Sequence, residues 1–403
     1  MKKVSPKNTQ KQSKQSFSDF AGKLSAKWRL LTQPAKPVQP GKAKADEMET
    51  ILRQLVGTPT VTGNYDANHD ALDYIERFLQ KRGMLTQRLE WNNLETLVAT
   101  TRKTKTPKVA LAAHLDVVPG DQSLFELREA DGKYFGRGTL DMKFAIAAFM
   151  QCIDDLSNDL KKYDIGIFIT TDEEAGGVDG DGNLAKEGYL PKVCIIPDGG
   201  DDWQIQVYSK GFLSFSISAE GKSAHGSRPW EGDNAIQRVI NALDDCKALF
   251  PKMSAKTNTM NIGRIHGGQA VNQVAQHAEA LVDVRFIAQQ DADHLLKAME
   301  DICHQHGAKL QLNYEGAPTN FDLKDPLIAP MVELITEVTG VPVTGSRTLG
   351  SNNARFYAER GVPCISVYPK GGNHHSPNEW LDKEAFFQFH TILLRYLQQI
   401  ARR

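Results

Sequence analysis

An unbroken apolar run, Val109-Ala110-Leu111-Ala112-Ala113, constrains this chain more than any other stretch, because it has no polar face and ends on His114-Leu115-Asp116. Apolar side chains at every position predict a strand buried in a sheet that is covered on both faces. Residues two apart in a strand point the same way, so Asp116 is placed to accept the imidazole N–H of His114 and leave its other nitrogen free for a cation. The pattern recurs: Ile165 to Thr171 ends in Asp172-Glu173-Glu174, and Val193 to Pro197 ends in Asp198. Polar residues after one strand need no explanation. Acids after successive buried strands predict a site beyond their carboxyl ends, where open α/β sheets hold their ligands.

Two further stretches belong with these. Tyr134-Phe135-Gly136-Arg137-Gly138-Thr139-Leu140-Asp141 precedes an apolar helix predicted over Met142 to Ile153, which puts Asp141 on the loop entering that helix. Near the C-terminus a strand predicted over Cys364 to Tyr368 leads into Gly371-Gly372-Asn373-His374-His375-Ser376-Pro377-Asn378-Glu379. Two histidines and three carboxylates can converge there, the donor set of a site for divalent cations.

The chain has 403 residues, more than one core usually fills, which predicts two domains. Helices over Asp46 to Val56 and Asn68 to Arg82 and strands over Leu85 to Leu89 and Thr96 to Thr100 open an alternation that continues to about Ser209 and predicts a mostly parallel sheet between helices. From Gly211 to Glu315 the order changes to βαββαβ, a ferredoxin-like α+β sandwich, and the first pattern then resumes through helices at Pro326 to Thr339 and Lys383 to Ile400. The expected division is therefore a catalytic domain formed by 46–210 and 316–403, interrupted by a lid domain, 211–315. Residues 1–45 read as a basic tail in which Phe17, Phe20, Leu24, Trp28 and Leu31 recur at helical spacing.

With 48 Lys and Arg against 49 Asp and Glu, no nucleic-acid partner is implied. Cys152, Cys194, Cys246, Cys303 and Cys364 are scattered through apolar runs and read as buried free thiols of a reducing compartment, and no run suits a membrane span, so a soluble cytoplasmic protein is expected. Asp179-Gly180-Asp181-Gly182-Asn183 imitates a calcium loop but carries Leu184 and Leu190 where that loop needs Gly and Glu, and reads as a solvated turn. Gly136-Arg137-Gly138 lacks the third Gly of a dinucleotide fingerprint.

Taken in order, His114-Leu115-Asp116, Gly136 to Lys143, Asp172-Glu173-Glu174, Asp198 and His375 with Glu379 resemble the two-metal family of acetylornithine deacetylases, succinyl-diaminopimelate desuccinylases, aminoacylases, glutamate carboxypeptidases and dipeptidases. The resemblance spans about Asp46 to Arg403. It implies that Asp141 bridges two divalent ions, zinc foremost with cobalt or manganese as alternatives, with His114 and Asp198 on one ion and Glu174 and His375 on the other. Glu173 would be the general base, Asp116 the partner of His114, and His225, in Gly221-Lys222-Ser223-Ala224-His225, the polariser of the scissile carbonyl. It further implies a homodimer in which His225 serves the partner's metals.

Asn272, Arg285, Asn353 and Arg355 resemble substrate-binding positions. The chain departs from the family at Ser351-Asn352-Asn353-Ala354-Arg355, where Ser-Asp-Ala-Arg is common, at Val274-Ala275, where Pro is common, and at Phe144, where Gly is common. Deacylases of the family tend to carry Glu where this chain has Asp198, so the expected reaction is cleavage of a small peptide next to a free carboxylate. An N-acyl-amino-acid deacylase is the alternative. A non-catalytic binding protein on the same fold is a third reading, which the intact Glu173 opposes.

Overall fold

The computed structural model describes residues 41–403. The tail pattern from Phe17 to Leu31 lies outside the described residues. The first helix, α1 (Lys42–Gly57), starts earlier than predicted, inside the stretch read as tail, because Lys42-Ala43-Lys44-Ala45 favours helix and Lys44 pairs with Asp155 at 2.7 Å. Helix α2 (Tyr65–Lys81) is capped by Asn64, whose side chain accepts the Ala67 N–H. Strands β1 (Leu85–Trp91) and β2 (Leu94–Thr100) form a hairpin whose turn residues, Asn92 and Asn93, have φ of 51° and 64°, as a tight hairpin turn requires. Then follow β3 (Val109–His114), α3 (Lys143–Leu156), β4 (Ile165–Thr170) and β5 (Val193–Ile195).

The chain continues through β6 (Ile205–Ser209), β7 (Gly211–Glu220), α4 (Ala235–Ala248), β8 (Thr259–Gly267), β9 (His277–Phe286), α5 (Gln289–Gln305) and β10 (Ala308–Gly316). It ends with β11 (Thr319–Asn320), α6 (Ala329–Thr339), β12 (Gly345–Thr348), β13 (Cys364–Ile365) and α7 (Lys383–Ile400). The largest sheet runs β1-β2-β4-β3-β5-β13, parallel from β4 to β13 and antiparallel at the β1-β2 edge. Alternate residues of its central strands feed two cores: Leu111, Ile167 and Ile169 pack with α1, α3 and α7, whereas Ala110, Ala112 and Phe168 pack with Leu184 and Tyr357 on the other face. This is the two-sided burial that the unbroken apolar runs demand.

A separate antiparallel sheet, β8-β9-β7-β10, has its own core of Phe215, Ile217, Val239, Leu243, Val282 and Phe286 beneath α4 and α5. A third sheet, β11-β6-β12, lies between the two in sequence. Strand β13 is shorter than predicted: past Ile365 the backbone turns to bond the approach to β6, with Gln206 N–H donating to Ser366 O at 2.9 Å and Tyr368 N–H to Gly200 O at 3.0 Å. That bend carries Tyr368 towards the strand ends.

The Phe144 departure fills core space, its ring centroid 5.1 Å from that of Phe389 and 6.5 Å from that of Tyr368. All five cysteines are free and buried. The calcium-like segment is not a solvated turn: Asp181 is buried and receives Tyr357 OH at 2.7 Å and Asn353 Nδ2 at 2.9 Å. Among the described residues no helix is long and apolar enough to cross a membrane.

Candidate active site

His114 is the last residue of β3, Glu173 and Glu174 form a short turn just past β4, and Asp198 follows β5. The carboxyl ends of three adjacent parallel strands thus meet at one place. Asp141 enters from the loop before α3 and His375 from the loop before α7, with φ of 62° at His375. Two groups result: His114, Glu173 and Asp198, and Asp141, Glu174 and His375, with candidate ligand atoms in each within 4.8 Å of one another. The histidines face different oxygens of Asp141, His114 Nε2 at 3.2 Å from Oδ1 and His375 Nε2 at 3.1 Å from Oδ2. His375 Nε2 also lies 3.2 Å from Glu174 Oε1.

The supporting contacts differ from expectation at Asp116. His114 Nδ1–H donates to the backbone carbonyl of Asp116 at 2.9 Å, while the nearest carboxylate oxygen is 3.7 Å away. The carboxylate of Asp116 instead accepts Glu173 N–H at 3.1 Å, Glu174 N–H at 3.2 Å and Thr62 OH at 2.9 Å. It orients the Glu173-Glu174 turn. Period-two alternation locates a side chain's face but cannot say whether carbonyl or carboxylate takes the proton.

Glu379 does the same for Asp141. Its carboxylate, buried, accepts the N–H groups of Gly138 at 3.1 Å, Leu140 at 2.8 Å and Asp141 at 3.1 Å, and Arg137 Nη1 at 2.9 Å. Gly138, at φ +81°, has Lys143 Cδ 2.9 Å from where a Cβ would stand, so this turn needs glycine.

Tyr368, which sequence reasoning missed, is buried with its hydroxyl 2.8 Å from Asp198 Oδ1 and 3.1 Å from Asp141 Oδ1. Only its place after an apolar strand could have signalled it. A cleft of about 390 Å³ opens here, lined among others by Asp141, Glu173, Asp198, Tyr368 and His375.

The other expected site residues lie elsewhere. Asn353 is buried against Asp181, and Arg355 donates to the carbonyls of Asn352, at 3.0 Å, and Gly176. Arg355 thereby fixes the end of the Glu173-Glu174 turn. His225, exposed, has Nδ1 2.8 Å from Ser227 Oγ, and Arg285 Nε donates to Asp283 at 2.9 Å. Asn272 is exposed and its carbonyl accepts Gly226 N–H at 2.6 Å. None of these five residues lines the cleft.

The ionisation of the cluster follows from burial and from the charges it brings together. Burial, followed by the charge of Asp198, holds Glu173 well above the usual carboxylate range, and burial with Asp141 raises Asp198. Burial pushes Glu174 to about 7. Burial also opposes ionisation of Asp141, but hydrogen bonds from His114 and His375 outweigh it and hold that carboxyl low. The hydrogen bond to Asp141 raises His375 to about 8. Crowded carboxylates whose ionisation is opposed by burial and by each other, beside two imidazoles, are the donor chemistry that two divalent ions fit.

Residues 110–399 match the peptidase family M20/M25/M40, and the chain belongs to that family. It is a metal-dependent hydrolase. A succinyl-diaminopimelate desuccinylase of Caulobacter vibrioides is 27% identical over 412 residues, covering 92% of this chain and 100% of the relative. An acetylornithine deacetylase of Edwardsiella ictaluri is 25% identical over 379 residues, covering 88% and 97%. In fold, the chain is similar to a Staphylococcus aureus tripeptidase (19% identity, TM-score 0.72, 89% and 99% covered) and to an M20 family metallo-carboxypeptidase of Sulfolobus solfataricus (15%, 0.71, 88% and 99%).

The raised acids give a signed prediction. A carboxyl whose pKa is raised on folding favours the folded state at low pH and loses that contribution as pH climbs from its ordinary value through the raised one. For Glu174 this window runs from 4.5 to about 7, and Glu173 and Asp198 are shifted in the same direction. Chelator-treated protein should therefore lose melting temperature between pH 5 and 7. Protein loaded with zinc should not, since metal binding requires the deprotonated ligands. A metal-free melting temperature that rises across this interval would contradict the reading of the cluster.

Proposed function

We propose that this hydrolase cleaves the amide of an N-acyl amino acid, releasing the acyl acid and the free amino acid. The observation that carries this reading is Glu173, which lines the cleft beside His114 and Asp198 with its backbone held by Asp116. The end-to-end likeness to proteins named desuccinylase and deacetylase supports the N-acyl class over the peptides first expected. Peptidase activity remains the second reading, favoured by Asp198 in place of the Glu that deacylases tend to carry.

His114 and Asp198 would hold one divalent ion and Glu174 and His375 the other, with Asp141 between them. When bound, such a pair supplies Lewis acidity and a water that ionises near neutral pH. Glu173 takes a proton from the attacking water on a carboxylate oxygen and returns it to the leaving nitrogen. The Tyr368 hydroxyl, with one proton to give, lies within hydrogen-bond reach of Asp141 Oδ1 and Asp198 Oδ1 and would position the two carboxylates, which come from different segments of the chain. The sheet of β7 to β10 acts as a lid that presents His225 to the scissile carbonyl as a hydrogen-bond donor.

Because Glu173 is assigned as base, Glu173→Gln should keep both metals by elemental analysis while kcat falls about 10²–10⁴-fold. The substrates for that comparison are N-succinyl and N-acetyl amino acids beside dipeptides, with zinc, cobalt or manganese added. Release of metal by Glu173→Gln would move the residue into the ligand set, and faster cleavage of dipeptides would restore the peptidase reading.

We further infer that His225 serves a second copy of the chain, since it is exposed and absent from its own chain's cleft. Mixing Glu173→Ala with His225→Ala after dissociation makes half the dimers mixed, each with one intact site of two. Activity should return to roughly a quarter of normal. Proven subunit exchange without recovery would place His225 in its own chain's site.

A further inference from the structure

We propose that Arg347 is the receptor for a substrate carboxylate and sets the specificity of this cleft, an inference that rests on the amidohydrolase reading above. Strand β12 pairs in parallel with β6, and the register slips between Ser346 and Arg347. The slip leaves Val207 of β6 without a partner and sets Arg347 opposite Tyr208, and Ser346, Arg347 and Thr348 all line the cleft that contains Asp141, Glu173 and Asp198. Arg347 is the only Lys or Arg among the cleft's lining residues.

The guanidinium is held by its face. Its central carbon lies 3.8 Å from the ring centroid of Tyr208, a largely buried side chain opposite it on β6. Stacking leaves the N–H donors along the edge of the group. No carboxylate lies within ion-pair distance of Arg347 among the described residues, whereas Arg137 is committed to Glu379 and Arg285 to Asp283. A guanidinium set against an aromatic ring, without a carboxylate partner among the described residues, and exposed in the lining of the cleft that holds the cluster suits a planar, bidentate anion. That anion is a carboxylate, borne either by the acyl chain or by the amino-acid half of the substrate.

The test uses full-length, zinc-loaded protein and three substrates: N-succinyl-L-alanine, N-acetyl-L-alanine and N-succinyl-L-alaninamide. Arg347→Met should lower kcat/KM by about 10- to 100-fold for substrates that carry the carboxylate it reads, relative to the one that lacks it. If the acyl carboxylate is read, the acetyl substrate is the one spared. If the α-carboxylate is read, the alaninamide is spared. Arg347→Lys, which keeps the charge without the fork, should fall between. Equal losses on all three substrates, or none on any, would overturn the proposal. Calorimetric binding of succinate separates it from the reaction it rests on. Succinate affinity about 10-fold weaker in Arg347→Met, with no turnover of any substrate by wild type, would leave the carboxylate site standing and remove the amidohydrolase reading. Turnover that ignores the substitution, or succinate binding that does, would remove the site.

Discussion

Four carboxylates and two imidazoles share a space where ligand atoms within each group lie no more than 4.8 Å apart, and the rest of the site is arranged around their mutual repulsion. At that spacing each ionised pair costs on the order of 3–4 kcal/mol at an effective dielectric near 20, more than a domain tolerates several times over. Partial burial keeps solvent screening of these charges weak, so the carboxyls are held protonated or must be neutralised by other charge. Divalent cations held among these ligands would add attractions to each carboxylate that outweigh the repulsion between carboxylates.

Holding the cluster in place takes buried groups that never reach the cleft's centre. Glu379 and Arg137 form an ion pair inside the protein, and Glu379 spends its remaining capacity on the backbone of the loop that presents Asp141. Removing one partner would leave the other charged and unpaired, a loss of about 3–5 kcal/mol. Asp116 and Arg355 clamp the Glu173-Glu174 turn from its two ends, one through backbone N–H groups and the other through the Gly176 carbonyl. Rigid elements on both sides of the inserted β7 to β10 segment thus converge on one edge of a single sheet.

Much of this was legible in the sequence. The apolar runs ending in His114, Glu174 and Asp198 gave both the buried strands and the candidate ligands at their ends, and the βαββαβ order foretold the second sheet. What sequence could not reveal was which atom meets which. Asp116 uses its carbonyl on His114 and its carboxylate on residues 57 and 58 positions away. Asp181, in a segment that looked solvated, is buried by Tyr357 and Asn353 from the far end of the chain. Tyr368 was hidden because its strand stops early, and Arg347 because its place in the cleft depends on the pairing of β12 with β6, which local pattern does not show. Local pattern fixes the face of a strand or helix, whereas these contacts depend on tertiary pairing between segments far apart in sequence, those of Asp181 with Asn353 and of Tyr368 with Asp141 and Asp198 across more than 150 residues.

The central claim is that two divalent ions sit at this place, one between His114 and Asp198 and one between Glu174 and His375, with Asp141 touching both. Anomalous diffraction from crystals grown with zinc and measured across its absorption edge tests it most directly. The account predicts two peaks about 3.5–4 Å apart on either side of the Asp141 carboxylate. A single peak, or peaks that do not contact Asp141, would contradict it.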